Sequence, residues 1–194
     1  MHHLYHTESL ILERRPFGEA NYYITLLTRD LGLIRASAQG IRLSQSKLKG
    51  SLTEFSFSRV SLVRGRAMWR ITSAELKKNY YTIIRGTSTL CISARLFALV
   101  GRLVHGEEKN QELFDLLKDT LEFFSRDDRQ PYDEMALELL VVLKILATLG
   151  YGTRLLKFSP LLTAPLSFEL LPQISLEKKY ALQEINTILR ETHL

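Results

Sequence analysis

Cysteine is almost absent from this chain, which has a single such residue, Cys91, among 194. One thiol excludes an internal disulfide and any structural zinc site built from several thiolates. Because Leu90 and Ile92 flank it, we expect Cys91 to be a buried structural thiol and not a nucleophile. The lack of disulfides is typical of a protein in a reducing compartment.

Long hydrophobic runs are missing as well. The longest, Leu139–Leu149, is interrupted by Lys144 and is shorter than the about 20 residues that a membrane span needs. The N-terminus lacks the basic region and apolar core of a signal peptide. We therefore expect a soluble cytoplasmic protein.

Catalytic motifs are also missing. The sequence has no Gly-x-Ser-x-Gly elbow, phosphate-binding P-loop, metal-binding histidine pair or Cys/His pairing, which argues against a hydrolase or a transferase. Three histidines, His2, His3 and His6, have no acidic or cysteine partner nearby, so they predict a disordered terminus and not a metal site. We expect no catalytic residue, no metal and no cofactor.

Acidic residues are missing from one stretch in particular. Leu31–Thr53 spans 23 residues without a carboxylate and contains four cations, Arg35, Arg42, Lys47 and Lys49. It starts at a turn signal, continues as an apolar-rich strand to Ala38 and opens into a polar loop with two glycines and three serines. Such a loop suits a phosphate backbone, because its cations displace condensed counterions while hydroxyls and backbone amides donate to phosphate oxygens. A solvated surface loop that is basic by chance is the alternative.

Positive charge is concentrated in the first half of the chain. Residues 1–80 carry 13 Lys and Arg against 6 Asp and Glu, a net of +7. Residues 81–194 carry 13 against 15, a net of −2, so the whole chain has a formal charge of +5. The first half is therefore the predicted partner of a polyanion.

The first half also predicts five β-strands that are joined by short turns, apart from the basic loop. They are Ser9–Arg15, which stops at the turn Pro16-Phe17-Gly18, then Tyr22–Thr28, Leu33–Ala38, a strand from Phe55 through Leu62, and Ala67–Leu76. In the fourth strand the apolar positions change phase between Phe57 and Val60, which predicts a bulge or a sharp bend. Gly65-Arg66 predicts a two-residue hairpin turn, after which Trp69 and Ile71 share a face. These strands favour a five-stranded barrel of oligonucleotide/oligosaccharide-binding (OB) type.

After Asn79 the apolar period changes from 2 to 3.6, so an α+β protein is predicted, with a barrel over residues 1–79 and helices over residues 80–194. The predicted helices are Ser88–His105, one capped by Asn110 with a stripe from Leu113 to Phe124, one from Pro131 to Gly150, and Ser175–Thr192. The third is apolar on all sides and should be central. Leu155–Pro172, with three prolines, predicts an extended loop or short strands. In the last helix Ser175 is the predicted cap, and the predicted buried residues are Tyr180, Ile185, Ile188 and Leu189.

Six short motifs follow one another in the first half of the chain. They are Arg14-Arg15-Pro16-Phe17-Gly18-Glu19-Ala20, Thr25-Leu26-Leu27-Thr28, Gly32-Leu33-Ile34-Arg35, Ala38-Gln39-Gly40-Ile41-Arg42, Lys47-Leu48-Lys49-Gly50 and Ser73-Ala74-Glu75. At this spacing they resemble the N-terminal domain of the RecO family of recombination mediator proteins. Leu149-Gly150-Tyr151-Gly152 resembles that family's hallmark at the end of the central helix.

The resemblance implies an OB-type barrel followed by a helical domain. It also implies binding of single- and double-stranded DNA, annealing of complementary strands, and cooperation with RecR and the single-stranded DNA-binding protein in loading RecA. By the family's pattern the DNA face includes Arg35, Arg42, Lys47 and Lys49. Gln39 stands where the family more often has Lys, so a neutral hydrogen bond would replace one phosphate contact. Weaker candidates for phosphate are Arg15, Arg64 and Arg66, and candidates for base stacking are Tyr22, Tyr23 and Trp69.

Three features depart from the family's pattern. Cys91 alone cannot form the four-cysteine zinc site that many members place after the hallmark, and the region after Gly152 is short. The central helix of members often carries Arg beside a groove that takes the acidic, phenylalanine-ended tail of the single-stranded DNA-binding protein, whereas Leu139–Leu143 is purely apolar. This departure argues against tail binding more than against DNA binding.

We therefore predict a non-enzymatic, nucleoid-associated protein that binds and anneals DNA. An RNA-binding or translation-linked barrel would use the same electrostatics and is the alternative. A competition experiment, in which DNA and RNA of the same sequence compete for the protein, would distinguish the two hypotheses.

Overall fold

The structure is a computed structural model that describes residues 3–84, 87–126 and 132–192. Pro131, the predicted start of the central helix, lies outside these ranges. The chain divides into two compact units. The first holds the residues up to Ile83 together with Val104–Phe114, and the second holds Ile84–Leu103 and the residues from Asp115 onward.

Five strands of the first unit close into a barrel. They are β1 (Leu4–Phe17), β2 (Asn21–Thr28), β3 (Gly32–Ala38), β4 (Ser56–Arg64) and β5 (Trp69–Asn79). Their order around the barrel is β1-β2-β3-β5-β4, with antiparallel neighbours except for the parallel pair β3 and β5. The predicted five-stranded OB-type barrel is confirmed.

Alternation along the strands fills the barrel with apolar side chains. The core residues of the strands are Ile11, Ile24, Leu26, Ile34, Ala36, Ala38, Val60, Leu62, Trp69 and Ile71. Each fully buried large aliphatic side chain contributes about 1.5–3 kcal/mol relative to exposure. Trp69 and Ile71 share the inner face, as predicted.

The first strand is longer than expected at both ends. It continues through Pro16 and Phe17, and the turn lies at Gly18, whose φ of +56° is a conformation that glycine tolerates. At the other end, His6 pairs with Ser61 of β4, and its Nδ1 lies 2.9 Å from the Ser61 Oγ. The prediction of a disordered terminus is wrong for His6, because β4 supplies a pairing partner that is distant in sequence.

A register shift does lie at Phe57/Ser58, within the stretch where the irregularity was predicted, but its extra residue belongs to β5 and not to β4. β4 pairs with β1 without a shift, and the irregularities lie against β5, where Thr72 and Lys77 are the unpaired extra residues. The apolar Phe57 points away from the barrel core, where its ring lies 6.4 Å from that of Phe114. The change of phase therefore reflects a second covered face. The hairpin between β4 and β5 has four residues instead of two.

Helices follow the barrel. They are α1 (Tyr80–Ile83), α2 (Thr87–Leu103), α3 (Gln111–Phe124), α4 (Glu134–Thr148), α5 (Ser159–Thr163), α6 (Leu171–Leu176) and α7 (Lys178–Glu191). Asn110 caps α3 as predicted, since its Oδ1 accepts the Leu113 N–H at 2.9 Å. α4 packs against α2, α6 and α7, which confirms its central place. No helix in the described ranges combines the length and hydropathy that crossing a bilayer requires.

The end of the chain differs from the prediction. Leu155–Pro172 forms short helical turns in place of strands, and Pro160 and Pro172 lie in the first turns of α5 and α6, where a missing N–H costs nothing. Ser175 lies inside α6, and α7 begins at Lys178.

Two burial predictions are wrong as well, and a third residue predicted to be buried, Leu189, is only partly buried. Tyr180 is 36% exposed, while Ala181, next to it on the helix, is buried. Cys91 is exposed, and its neighbour Ile92 takes the buried position on α2. One residue along a helix changes the facing direction by about 100°, so apolar neighbours in sequence do not decide burial.

Candidate nucleic-acid interface

The outward side of the barrel strands carries a row of polar and aromatic side chains, of which Ser37 is buried. Arg15 of β1 pairs with Tyr23 of β2, Tyr23 pairs with Ser37 of β3, and Ser37 pairs with Arg70 of β5. Paired residues on neighbouring strands point to the same side of a sheet. Ile24, Ala36 and Ile71, which alternate with them, point into the core. The row therefore points to the outside of the barrel. We call these four residues, together with Phe17 and Arg35, the outer face.

Three side chains on the outer face form a stack across β1, β2 and β3. The rings of Phe17 and Tyr23 are nearly parallel, at 6°, with centroids 3.9 Å apart. The Arg35 guanidinium carbon lies 4.7 Å from the Tyr23 centroid. Because Phe17 covers one face of Tyr23, Arg35 occupies the other. Tyr23 is thus enclosed, and Phe17 presents the terminal aromatic face of the stack.

One carboxylate lies beside this stack. Glu13 accepts a hydrogen bond from Arg15 Nε at 2.7 Å, so the charge of Arg15 is partly compensated. Thr25 also lies within reach of Glu13, at 3.5 Å. Arg35, paired with Thr25 across the strands, makes no ion pair within the described residues. Of these two arginines, Arg35 is the more available to an anion.

The basic loop, residues 39–55, connects β3 to β4 as a series of turns held by backbone hydrogen bonds such as Ser46 N–H to Leu43 O. Ile41 and Leu52 are buried in the barrel core, and Leu48 packs against it. These apolar side chains anchor the loop over one end of the barrel. The spacing of the anchors leaves the residues between them on the outside.

The exposed positions of the basic loop hold its cations. Gln39, Arg42, Lys47 and Lys49 are exposed, and in residues 3–84, 87–126 and 132–192 none of their side chains has a hydrogen bond or an ion pair. The backbone N–H of Arg42 donates to Ala20 O at 3.0 Å, and that of Gly40 to Asn21 Oδ1 at 2.9 Å. The start of the loop is thus attached to the turn between β1 and β2.

The remaining candidates, Arg64 and Arg66, lie at the hairpin between β4 and β5. Arg64 pairs with Glu107 at 3.3 Å, and Glu107 also accepts a hydrogen bond from Trp69 Nε1 at 2.8 Å. Glu107 belongs to Val104–Phe114, which is part of the barrel unit. Arg64 is therefore ion-paired although its side chain is exposed, whereas Arg66 is exposed and has no ion pair within the described residues.

The aromatic candidates occupy different environments. Trp69 is 4% exposed and belongs to the barrel core, so it offers no face to a base. Tyr22 packs partly against that core, and the Arg14 guanidinium lies 4.6 Å from its centroid. Of the three, Tyr23 lies on the outer face.

Sequence reasoning overlooked Phe17 and Arg70. Both were detectable: Phe17 lies two residues after Arg15 and shares its face once the strand is extended past Pro16, and Arg70 lies between the inward-facing Trp69 and Ile71. The described residues contain no group of three or more His, Cys, Asp or Glu side chains that could hold a metal ion.

Two family models match the chain. The one described as Recombination protein O N terminal matches residues 1–80, and the one described as Recombination protein O C terminal matches residues 88–157. The first covers the strands of the barrel, and the second covers α2, α3 and α4.

Curated relatives named DNA repair protein RecO are similar to this chain. That of Dehalococcoides mccartyi strain 195 is 37% identical over 123 residues, which are 62% of this chain and 47% of the relative. That of strain BAV1 of the same species is 34% identical over 156 residues, 79% of this chain and 59% of the relative. That of Alkaliphilus metalliredigens is 30% identical over 122 residues, 63% of this chain and 50% of the relative. The aligned residues thus span about half the length of the curated relatives.

Proposed function

Since the chain belongs to the recombination protein O (RecO) family, we propose that it is a non-enzymatic mediator of DNA repair and recombination. In this proposal it binds single- and double-stranded DNA and anneals complementary strands. It also helps to load the recombinase RecA onto DNA that is coated with the single-stranded DNA-binding protein. Family membership alone supports the inclusion of RecR as a partner.

The observation that carries the proposal is the lack of compensating charge around four cations. Within the described ranges Arg35, Arg42, Lys47 and Lys49 have no carboxylate partner, whereas Arg64 is paired with Glu107. Three of these cations lie on a loop anchored to the barrel, and Arg35 lies on the strand that leads into it. Uncompensated cations on a rigid scaffold favour the binding of a polyanion such as DNA.

The proposed mechanism of annealing is charge neutralisation. Two complementary strands repel each other, and a shared positive surface lowers that repulsion until their bases pair. With about four to six phosphates contacted, log affinity for single strands should fall against log salt with a slope of roughly −3 to −4. The ring of Phe17, at the end of the stack, would hold a base of any sequence by stacking.

The test is a strand-annealing assay, combined with a salt titration of single-strand affinity, on a variant with Arg35, Arg42, Lys47 and Lys49 changed to Ala. We expect annealing to be lost and the salt slope to fall by about 3. The matched control changes Arg59, Lys77, Arg126 and Lys179 to Ala, which removes the same charge from other surfaces. Equal losses of annealing in both variants, or an affinity that does not change with salt concentration, would refute the proposal. A tenfold preference for RNA over DNA of one sequence would favour the RNA-binding alternative.

A groove in the second unit supports the further proposal of tail binding. A cavity of about 340 Å³ between α2, α4 and α7 is mostly apolar, with Leu139 and Val142 in its lining. A second cavity of about 250 Å³ shares Leu99 and Leu189 with it. The apolar part suits a phenylalanine ring.

The only cation of α4, Lys144, is buried, so the cations at this groove come from the neighbouring helices. Arg102 of α2 and Arg190 of α7 line the second cavity, and neither makes an ion pair within the described residues. We propose that they hold the acidic residues of the tail. An acidic peptide that ends in phenylalanine should bind, Arg190→Ala should weaken it, and deletion of the final phenylalanine should abolish it. Binding that survives this deletion would contradict the proposal.

A further inference from the structure

A cleft lies at the end of the barrel that carries the basic loop. Its lining comes from the end of β1, the start of β2, the end of the basic loop and α1, and consists of Arg14, Pro16, Tyr22, Thr53, Glu54 and Tyr81. Its volume is about 480 Å³, within the range of about 300–1,000 Å³ that is typical of small-molecule sites. None of the four cations assigned to phosphate lines it.

Arg14 brings unused hydrogen-bonding capacity to this cleft. Its Nε is buried and has no hydrogen-bond partner among the described residues. The guanidinium carbon lies 4.6 Å from the centroid of Tyr22, so the cation rests on an aromatic face. The buried Nε is closed to a ligand, whereas the terminal N–H groups of Arg14, which also have no hydrogen bond or ion pair among the described residues, can donate to an acceptor in the cleft.

Glu54 places a carboxylate at the same cleft. Its Oε1 accepts the backbone N–H of Arg14 at 3.1 Å, and the side chain makes no ion pair within the described ranges. The second carboxylate oxygen is therefore available to a donor. The negative charge of Glu54 disfavours a phosphate here, so the ligand has to offer both a donor and an acceptor.

The aromatic wall is held in place by strained backbone. Tyr81 is 60% exposed, and its ring lies 6.4 Å from that of Phe55 at an angle of 19°. Phe55 has a φ of +62°, which bulky residues rarely adopt. Its N–H donates to Ile11 O, and its carbonyl accepts the N–H of Tyr80, both at 3.1 Å. This strained residue fixes Glu54 on one side and Tyr81 on the other, and such strain is typical of functional sites.

We propose that the cleft binds one unstacked nucleobase of single-stranded DNA, and that it prefers bases with an exocyclic amine. This inference rests on the proposed DNA-binding function. The base lies against the rings of Tyr22 and Tyr81, a ring oxygen or nitrogen accepts from Arg14, and the amine donates to Glu54. Carboxylates accept from the cytosine amine and arginine donates to base acceptors in the same way in duplex grooves. The sugar-phosphate chain continues onto the basic loop, which ends at the cleft.

The test compares labelled homopolymers of cytosine and thymine with an abasic chain of the same length, using fluorescence anisotropy and the full chain. We expect the intact protein to bind the cytosine polymer about 5- to 10-fold more tightly than the thymine polymer, since thymine has no exocyclic amine. Glu54→Gln should abolish that preference. The matched control is Glu19→Gln, an exposed acid outside the cleft, and it should preserve the preference.

A second variant addresses the aromatic wall. Tyr81→Ala should weaken binding of the cytosine polymer about 5- to 10-fold and leave the abasic chain unaffected, while Tyr81→Phe should retain both affinities. A thermal melt checks that the barrel remains folded. Equal losses on base-bearing and abasic chains, or the lack of any preference for cytosine, would overturn the cleft proposal while the salt-dependent binding remained. Failure of the intact protein to bind any of the chains would overturn the proposed function as well.

Discussion

Phe17 and Tyr23 stack face to face on the outside of the barrel, with centroids 3.9 Å apart. They belong to β1 and β2, and Arg35 of β3 covers the opposite face of Tyr23. Neighbouring strands thus assemble a cation and two rings into one stack, in which Phe17 is the terminal ring.

Phe17→Ala should weaken single-strand binding, because it removes the ring on which a base would rest. The expected loss is about 1–3 kcal/mol of binding free energy, measured by anisotropy at fixed salt. Double-stranded DNA, whose bases are already stacked, should lose less. Phe17→Tyr retains the ring and serves as the control, so a similar loss in that variant would contradict the stacking role.

Glu107→Gln should strengthen DNA binding. Glu107 compensates Arg64 at 3.3 Å, and a glutamine oxygen can still accept the Trp69 Nε1–H hydrogen bond. Release of one cation should make the salt slope for single strands steeper by about 0.7. Glu112→Gln makes the same charge change at an exposed position of α3 and should leave the slope unchanged. No difference between the two variants would mean that Arg64 lies outside the DNA path.

Gly32→Ala should destabilise the barrel unit. Gly32 has a φ of +71°, and an added β-carbon would lie 2.2 Å from the carbonyl oxygen of Glu108. The φ alone costs about 1–3 kcal/mol in a residue with a side chain, and the contact with backbone adds to this. Gly50→Ala is the control, because nothing lies within 4 Å of its added carbon. Denaturant unfolding that gave equal stabilities for the two variants would disprove the close approach.

Lys144→Met should destabilise the helical unit. The buried ammonium of Lys144 donates to Leu162 O at 2.9 Å and to Ala164 O at 2.5 Å, and so holds the segment after α5. Burial lowers the pKa of Lys144 because it disfavours the charged form. The two hydrogen bonds offset that cost of burial. Loss of both donors should reduce the free energy of unfolding by about 1–3 kcal/mol. The same change at the exposed Lys179 should have little effect, and an equal effect there would argue against the role of these bonds.

Asp133 should make the stability of the helical unit sensitive to acid. Hydrogen bonds from Lys178, from Ser175 and from the Ala136 N–H lower the pKa of Asp133 to about 2, from 3.8. Because the folded-state pKa is the lower one, this stabilisation is complete above the unfolded-state pKa and is lost as the pH falls towards 2. Thermal melts between pH 5 and pH 2 should show this decline.

Asp133→Asn separates charge from capping, since asparagine can still accept the Ala136 N–H. This variant should be less stable than the parent at pH 6 and should lose less stability on acidification. Asp133→Ala also removes the cap and should cost about 1 kcal/mol more. Parallel pH curves for the parent and Asp133→Asn would refute the contribution of the charge.

Local patterns in the sequence were sufficient for the barrel strands, the central helix and the cap at Asn110. Alternation, helical period and capping depend on residues a few positions apart, which any reader of the sequence can compare. The same holds for the unequal charge of the two halves and for the apolar residues that leave Arg42, Lys47 and Lys49 between them on the basic loop.

Other features depended on contacts between residues that are far apart in the chain. Glu107 compensates Arg64, Phe114 covers Phe57, and the stack of Phe17, Tyr23 and Arg35 needs three strands in register. Leu155–Pro172 forms short helical turns because the segment packs against α4 and accepts hydrogen bonds from Lys144. The sequence by itself determined which segments become strands or helices and where positive charge accumulates. Only the tertiary structure decided which charges remain uncompensated and which rings are exposed, because burial and ion pairing depend on what packs against each residue.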